Sequence, residues 1–257
     1  MAKGTALVTG ASAGLGAQFA RALALEGHDL ILTARRIDRL DALATELRAA
    51  HGVKVETIAA DLAEGAAGLI AEIAARGLVV DTLINNAGFG QSGALAGQDR
   101  DRLLAMIDLN CRALVELCHA VLPAMLQMRS GGILNVASTA AFQAGPGMAV
   151  YYASKAFVLS FSEALHEEVR GQGVRVAVLC PGPTETEFFD AAGTGQDFAL
   201  RKLAGSPEKV VRDGLKALAA NRAVKISGAM NAVMAHSTRF TPRFVLRRLV
   251  AGIQKGR

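Results

Sequence analysis

Cysteine is scarce in this sequence, long apolar runs are missing, and no histidine pair stands at a metal-ligand spacing. Three cysteines are an odd number and cannot build a disulfide framework. Cys111 and Cys118 lie on one helical stretch about 10.5 Å apart, beyond disulfide reach. Cys180 closes an apolar run and reads as a small buried residue. His28, His51, His119, His166 and His236 read as structural or surface side chains, and no metal is expected. No apolar run approaches the ~18 residues that cross a bilayer. After Met1–Gly4 the chain enters Ala6-Leu7-Val8-Thr9, without the longer apolar stretch and cleavage site of a signal peptide. A soluble, cytoplasmic protein is the expectation.

Acidic residues are absent from 239–257, which carry Arg239, Arg243, Arg247, Arg248, Lys255 and Arg257. This tail accounts for the net charge of +5, since the other 238 residues hold 22 basic and 23 acidic side chains. A near-neutral body lacks the basic face that nucleic-acid binding demands, so no nucleic-acid partner is expected. With 51% hydrophobic residues over 257 positions, the chain suits a single folded domain rather than a disordered segment.

Short apolar runs alternate with amphipathic stretches. Strands are predicted at Ala6–Thr9, Leu30–Ala34, Val53–Ala59, Thr82–Asn85, Gly132–Ala137, Val174–Cys180 and Val224–Ser227. Leu40, Leu43 and Leu47 mark a helix, as do Leu69, Ile70 and Ile73; 99–128 and 150–171 are helical in pattern. The alternation implies βαβ units, an α/β fold and a parallel sheet covered on both faces. The one long irregular insertion, 183–205, has the length of a functional loop or lid.

The first strand runs into Thr9-Gly10-Ala11-Ser12-Ala13-Gly14-Leu15-Gly16 and a helix. Glycine lets the backbone turn tightly and approach a ligand, and the helix N-terminus offers N–H groups to a pyrophosphate. The same residues match G-x-S-x-G, which would make Ser12 a hydrolase nucleophile, but such an elbow follows several strands and only nine residues precede Gly10. The second strand ends in Arg35-Arg36, where an NAD site would place a carboxylate. Guanidiniums pair with phosphate, so NADP is favoured over NAD.

Asn85-Asn86-Ala87-Gly88 closes the fourth strand, Asn110 lies in a helical stretch, and Ser138 follows the fifth strand. Tyr151 and Lys155 stand four apart and share a helix face. With Pro181-Gly182, these motifs give the sequence a resemblance to the short-chain dehydrogenase/reductase family over residues 5 to about 190. The resemblance implies a Rossmann-type, doubly wound parallel sheet of seven strands in order 3-2-1-4-5-6-7. It also implies a carbonyl/alcohol oxidoreductase, commonly dimeric or tetrameric. By resemblance Tyr151 is the general acid/base, and Lys155 binds the nicotinamide ribose and lowers the tyrosine pKa. Ser138 holds the substrate oxygen and Asn110 a proton-relay water. Cofactor contacts are implied at Gly10, Ser12, Gly14, Leu15 and Gly16, at Arg35 and Arg36, and at Asp61, Leu62, Asn85, Ala87 and Gly88. Pro181, Gly182, Thr184 and Thr186 complete the set with Tyr151 and Lys155. Asp61 and Asn85 line the adenine side and Thr186 the nicotinamide carboxamide; Asn86 stands outside the catalytic set. Tyr152, three residues from Lys155, reads as packing.

A free tyrosine titrates near ~10, and bringing it towards ~7 takes about 4 kcal/mol of differential stabilisation. A nearby ammonium and an oxidised nicotinamide in a dry cleft would supply it. Substrate walls are expected from Phe89–Gly93, Thr139–Met148 and the 183–205 loop, contributing Ala140, Ala141, Phe142, Met148, Phe188 and Phe189. The first two segments offer no Arg or Lys, which points to an apolar ketone, aldehyde or alcohol, hydroxysteroid-like or 3-oxoacyl-like. The alternative of another class is a non-catalytic NADP-binding regulator, which would be expected to lack one of the catalytic side chains. Finally, Thr241-Pro242 resembles a helix start, and Leu246, Leu249, Val250 and Ile253 form an apolar stripe. Docking on the body or a partner subunit, a lid over the cleft, and a weak anionic-membrane contact are the three readings of that basic helix.

Overall fold

The computed structural model describes residues 3–184 and 205–255. Its strands are β1 (Thr5–Thr9), β2 (Asp29–Ala34), β3 (Val55–Ala59), β4 (Thr82–Asn85), β5 (Gly131–Val136), β6 (Val174–Cys180) and β7 (Val224–Ile226). The described α-helices are α1 (Gly14–Leu25), α2 (Ile37–His51), α3 (Ala67–Ala75), α4 (Arg100–Ile107), α5 (Ala113–Met128), α6 (Ala149–Glu168), α7 (Pro207–Ala219), α8 (Ala229–Ser237) and α9 (Arg243–Lys255). The strands form one seven-stranded sheet in the order β3-β2-β1-β4-β5-β6-β7, and every neighbouring pair is parallel.

Alternation of side chains along each strand divides the core into two layers. Leu7, Ile31, Leu83, Ile133, Val176 and Val178 face Leu69 and Ile73 of α3, Leu114 and Leu117 of α5, and Val158 and Leu165 of α6. Ala6, Val8, Leu30, Leu32, Ile84, Leu134 and Leu179 face Phe19 and Leu23 of α1, Leu40, Leu43 and Leu47 of α2, and Val210 and Leu218 of α7. Strands buried on both faces must be apolar at nearly every position, which is why they were legible as continuous runs. The chain order reverses between β1 and β4, and that is where an open parallel sheet leaves a ligand crevice at its carboxyl edge.

Three elements depart from expectation. β3 starts at Val55 rather than Val53, because Gly52, left-handed at φ 66, closes α2 and leaves Val53 and Lys54 to the turn. The stretch 99–128 is not one α-helix: Asp99 caps α4 by accepting from Asp101 N (2.9 Å), and a π turn over Asp108–Arg112 separates α4 from α5. By length and composition this 29-residue rod could cross a membrane, but Leu114, Leu117, Cys118 and Met125 tie it into the core. α9 begins at Arg243, and the Thr241 hydroxyl donates to Ser237 O (3.0 Å) rather than accepting as an N-cap. Of its expected stripe, Val250 is buried, Leu246 half-buried and Leu249 58% exposed.

Candidate active site

The first turn is shaped for close backbone approach. Gly10 and Gly14 are left-handed, at φ 66 and 53. A Cβ on Gly16 would stand 2.2 Å from the Gly10 carbonyl oxygen, so only glycine lets α1 begin where it does. Ala13 supplies no side-chain cap, which leaves the first N–H groups of the helix, from Gly14, Leu15 and Gly16, without an intrahelical partner or a side-chain cap. Thr9 and Asn86 lock this turn to the end of β4. Asn86 N and Ala87 N donate to Thr9 Oγ1 (3.0 and 2.9 Å), and Asn86 Nδ2 donates to Thr9 O (2.9 Å). Asn86 is a positioning residue, consistent with its place outside the catalytic set.

Beside this turn Arg36 occupies the N-cap of α2 without a side-chain cap bond. Its guanidinium donates to Ser12 Oγ from Nε (3.4 Å) and Nη2 (3.2 Å). Arg35 Nη1 lies 3.9 Å from Asp61 Oδ2. At the end of β2, then, Arg36 reaches Ser12 while its neighbour Arg35 reaches Asp61. Ser12 accepts from a guanidinium and has no histidine partner among the described residues, so the hydrolase alternative finds no support here. Leu62 is 5% exposed and its side chain packs in the core, which leaves only its backbone for the expected cofactor contact. The Asn85 side chain is likewise buried, at 4% exposed, which leaves only its backbone for the expected adenine contact. Its Nδ2 donates to Asn135 Oδ1 (2.9 Å), and Asn135 Nδ2 donates in turn to Ser162 Oγ (2.9 Å). A groove of about 630 Å³ along the edge of β3 is lined by Ile37, Thr57, Asp61 and Arg76 among others, and Tyr151 is not in its lining.

The expected catalytic side chains come together. The π turn puts Asn110, 2% exposed, against the backbone after Gly88. Its Nδ2 donates to Phe89 O (3.0 Å) and its Oδ1 accepts from Phe89 N (3.1 Å). Gly88 is needed there: a Cβ would stand 2.9 Å from Asn110 Oδ1 and 3.4 Å from Lys155 Nζ. Asn110 Nδ2 also donates to Ser154 Oγ (3.0 Å), which donates to Tyr151 O (2.7 Å). Ser154 is a positioning residue that sequence reasoning missed; its i+3 spacing from Tyr151 is the signal that could have found it. Ser138 caps a 3₁₀ turn over Thr139–Phe142 by accepting from Ala140 N (3.1 Å), and it is hydrogen-bonded to the Tyr151 side chain. Lys155 Nζ donates to Val136 O (2.9 Å) and lies 5.9 Å from the Tyr151 ring centroid.

Burial sets the proton affinities. It pushes Lys155 down to about 8. It also holds the Tyr151 phenol above its ordinary value, opposed by the Ser138 hydrogen bond. The lowering expected for this tyrosine rests on the ammonium together with an oxidised nicotinamide; among the protein's own groups desolvation outweighs the Ser138 hydrogen bond. The phenol therefore holds its proton at neutral pH. Burial likewise raises Cys180 to about 12, as expected for an inert, buried thiol. All three cysteines are free.

Pro181 O accepts from Thr139 N (2.8 Å), and Thr184 Oγ1 donates to Gly182 O (3.0 Å), so this loop is fastened beside Ser138. Thr186, Phe188 and Phe189 lie outside the described residues. Phe89 packs by Met106, Ala140, Met148 and Tyr151, forming an apolar wall beside Tyr151. Phe142 instead packs on the sheet core, and Tyr152 packs under Gly145, edge-on to Tyr151.

A family model described as short chain dehydrogenase matches residues 4–197. The sulfoacetaldehyde reductase of Chromohalobacter salexigens is 40% identical over 186 residues, 70% of this chain and 72% of that one. A short-chain dehydrogenase from Sphingobium yanoikuyae, solved in complex with NADPH, is 37% identical with a TM-score of 0.81, covering 92% of this chain and 93% of that one. A short chain dehydrogenase/reductase from Burkholderia phymatum, in complex with NAD, is 27% identical with a TM-score of 0.80 over 91% and 92%.

Proposed function

The chain belongs to the short chain dehydrogenase family, and from that premise we propose that it is an NADP(H)-dependent oxidoreductase that interconverts a carbonyl and an alcohol on an apolar small molecule. The observation that carries this reading is the convergence of Ser138, Tyr151, Lys155 and Asn110 beside an uncapped glycine turn.

The residues present fit a nicotinamide dinucleotide. The uncapped N–H groups of Gly14, Leu15 and Gly16 would hold the pyrophosphate. Arg36, Ser12 and Arg35 would hold a 2′-phosphate, which supports NADP over NAD. Asp61 and the backbone of Leu62, Ala87 and Gly88 would line the adenosine. Pro181, Gly182 and Thr184 would meet the nicotinamide end, and Lys155 and Tyr151 its ribose. When bound, the cofactor supplies or accepts a hydride. The protein orients and protonates. The Ser138 hydroxyl and the Tyr151 phenol hold the substrate oxygen. In reduction the phenol gives that oxygen its proton, a role suited to a group protonated at neutral pH. Lys155 steadies the resulting phenolate with its charge. Asn110 fixes the Gly88–Phe89 backbone against α6 through Ser154, keeping phenol and cofactor site in register.

The apolar wall of Phe89, Ala140 and Met148 favours ketones and aldehydes without a charged group. A homodimer or homotetramer is part of the same reading. Oxidation of NADPH and of NADH followed against charged aldehydes, apolar ketones, hydroxysteroid-type ketones and 3-oxoacyl esters tests it. Turnover of an apolar carbonyl with NADPH preferred is expected. Turnover confined to NADH, or to charged aldehydes, would overturn the cofactor or the substrate part respectively.

A further inference from the structure

The charge of this protein is more segregated than its tail alone suggests. No acid occurs between Gly214 and Arg257, while nine lysines and arginines do. α8, the turn after it and α9 carry much of this charge, with Arg239, Arg243, Arg247 and Arg248 all exposed. Exposed among them is an unusual amount of apolar surface. Met230 (71%), Val233 (65%) and Met234 share one face of α8, Phe240 is 89% exposed, and Phe244 and Leu249 are more than half exposed on α9. Ala235 and Val250 are buried, so each helix is anchored at one position while other apolar side chains on it face water. Exposed apolar side chains gathered on neighbouring elements mark an interaction surface.

We propose that the α8–α9 surface is a docking face for an anionic lipid bilayer. An interfacial helix joins these two features: cations that reach lipid phosphates, and apolar side chains that enter the headgroup–acyl boundary. A second copy of this chain is the rival occupant. A two-fold contact would set the same surface against itself, bringing two sets of four arginines together with no carboxylate on either side from residue 214 onward. A polyanion such as nucleic acid would satisfy the arginines and leave Met230, Val233, Phe240 and Leu249 without partners. Only a surface both anionic and apolar engages the whole set. The remaining chain, residues 1–213, holds 19 basic and 23 acidic side chains, so an anionic bilayer repels the body and selects this one face.

The face adjoins the active site. Asn231 of α8 lies against Gly182, where a Cβ would stand 2.3 Å from Asn231 Nδ2, and Asn231 Nδ2 donates to Ser227 O (2.8 Å). Docking would therefore bring the Pro181–Gly182 wall of the cleft close to the lipid surface.

The full chain is sedimented with phosphatidylcholine vesicles, with or without phosphatidylglycerol, while its oligomeric state is read by light scattering. Co-sedimentation is expected with the phosphatidylglycerol vesicles only. It should be lost at ~1 M salt, where the Debye length falls to ~3 Å. Arg247→Glu with Arg248→Glu should weaken partitioning at least ~10-fold, and Phe240→Ser with Phe244→Ser should weaken it comparably. Both variants replace exposed side chains, and unchanged NADPH turnover in solution reports that they fold. Failure to bind anionic vesicles at low salt would overturn the proposal. So would equal binding to uncharged vesicles, binding unaltered in both variants, or a phenylalanine variant that changes only the oligomeric state.

Discussion

Replacing Gly16 by alanine tests the phosphate turn with a single methyl group. Its Cβ would stand 2.2 Å from Gly10 O and 2.7 Å from Asn86 Nδ2, where ordinary contact begins at 3.4 Å. Gly10 O is backbone, and Asn86 is held by Thr9, so neither can swing aside. The first turn of α1 must shift by about 1 Å, and overpacking of this kind costs ~1–3 kcal/mol. The same shift draws the Gly14–Gly16 N–H groups out of line with the pyrophosphate. Loss of one charge-assisted hydrogen bond is worth ~1.5–3 kcal/mol, or ~10–150-fold in Kd. Gly68→Ala is the matched control. Nothing lies within 4 Å of its added Cβ, and in the first turn of α3 alanine should be neutral or stabilise by up to ~1 kcal/mol. Urea unfolding followed by circular dichroism, and titration of NADPH fluorescence, read both effects. A Gly16→Ala protein that matches the wild type in both would refute the reasoning, because no relaxation of the side chains alone removes the clash with Gly10 O.

Two further predictions concern charge. Arg36→Ala should raise the KM for NADPH at least ~10-fold by removing charge-assisted contacts, while leaving the KM for NADH within about two-fold; equal changes for both cofactors would remove Arg36 from the 2′-phosphate site. Lys155, lowered to about 8 by burial, binds fewer protons in the folded than in the unfolded protein between pH ~8 and ~10.5. Stability should therefore rise with pH across that window as the cost of burying the cation is relieved. Denaturant midpoints for Lys155→Met against the wild type check this, since the variant should lose the rise; a parallel profile would contradict it.

Much of the fold was legible because a doubly covered parallel sheet leaves little choice of residue. The strand of Leu30, Ile31 and Leu32 is inaccessible on both faces, and no amphipathic helix tolerates such a run. The glycine turn was legible for a related reason, since Gly10 and Gly16 sit where a side chain cannot. What escaped the sequence depends on side-chain direction. Asn85 and Asn86 are consecutive, yet β pleating sends Asn85 into the buried amides with Asn135 and Asn86 back to the first turn. The π turn at Asn110 inserts a residue into a regular helical pattern, which periodicity does not register. In α9 the stripe marked the buried Val250 but not the exposure of Leu249 and Phe244, nor that of Phe240 in the turn before it, because periodicity reports that a face is apolar and not what covers it.

In the proposed reaction the Tyr151 hydroxyl gives the proton, and removing that one atom is the sharpest test of its role. Turnover by Tyr151→Phe is measured as NADPH oxidation with the best carbonyl substrate, beside NADPH binding by fluorescence. Turnover is expected to fall by ~10²–10⁴-fold, the contribution of a positioned acid, with the Kd for NADPH changed less than about three-fold. Turnover within ten-fold of the wild type would contradict the account.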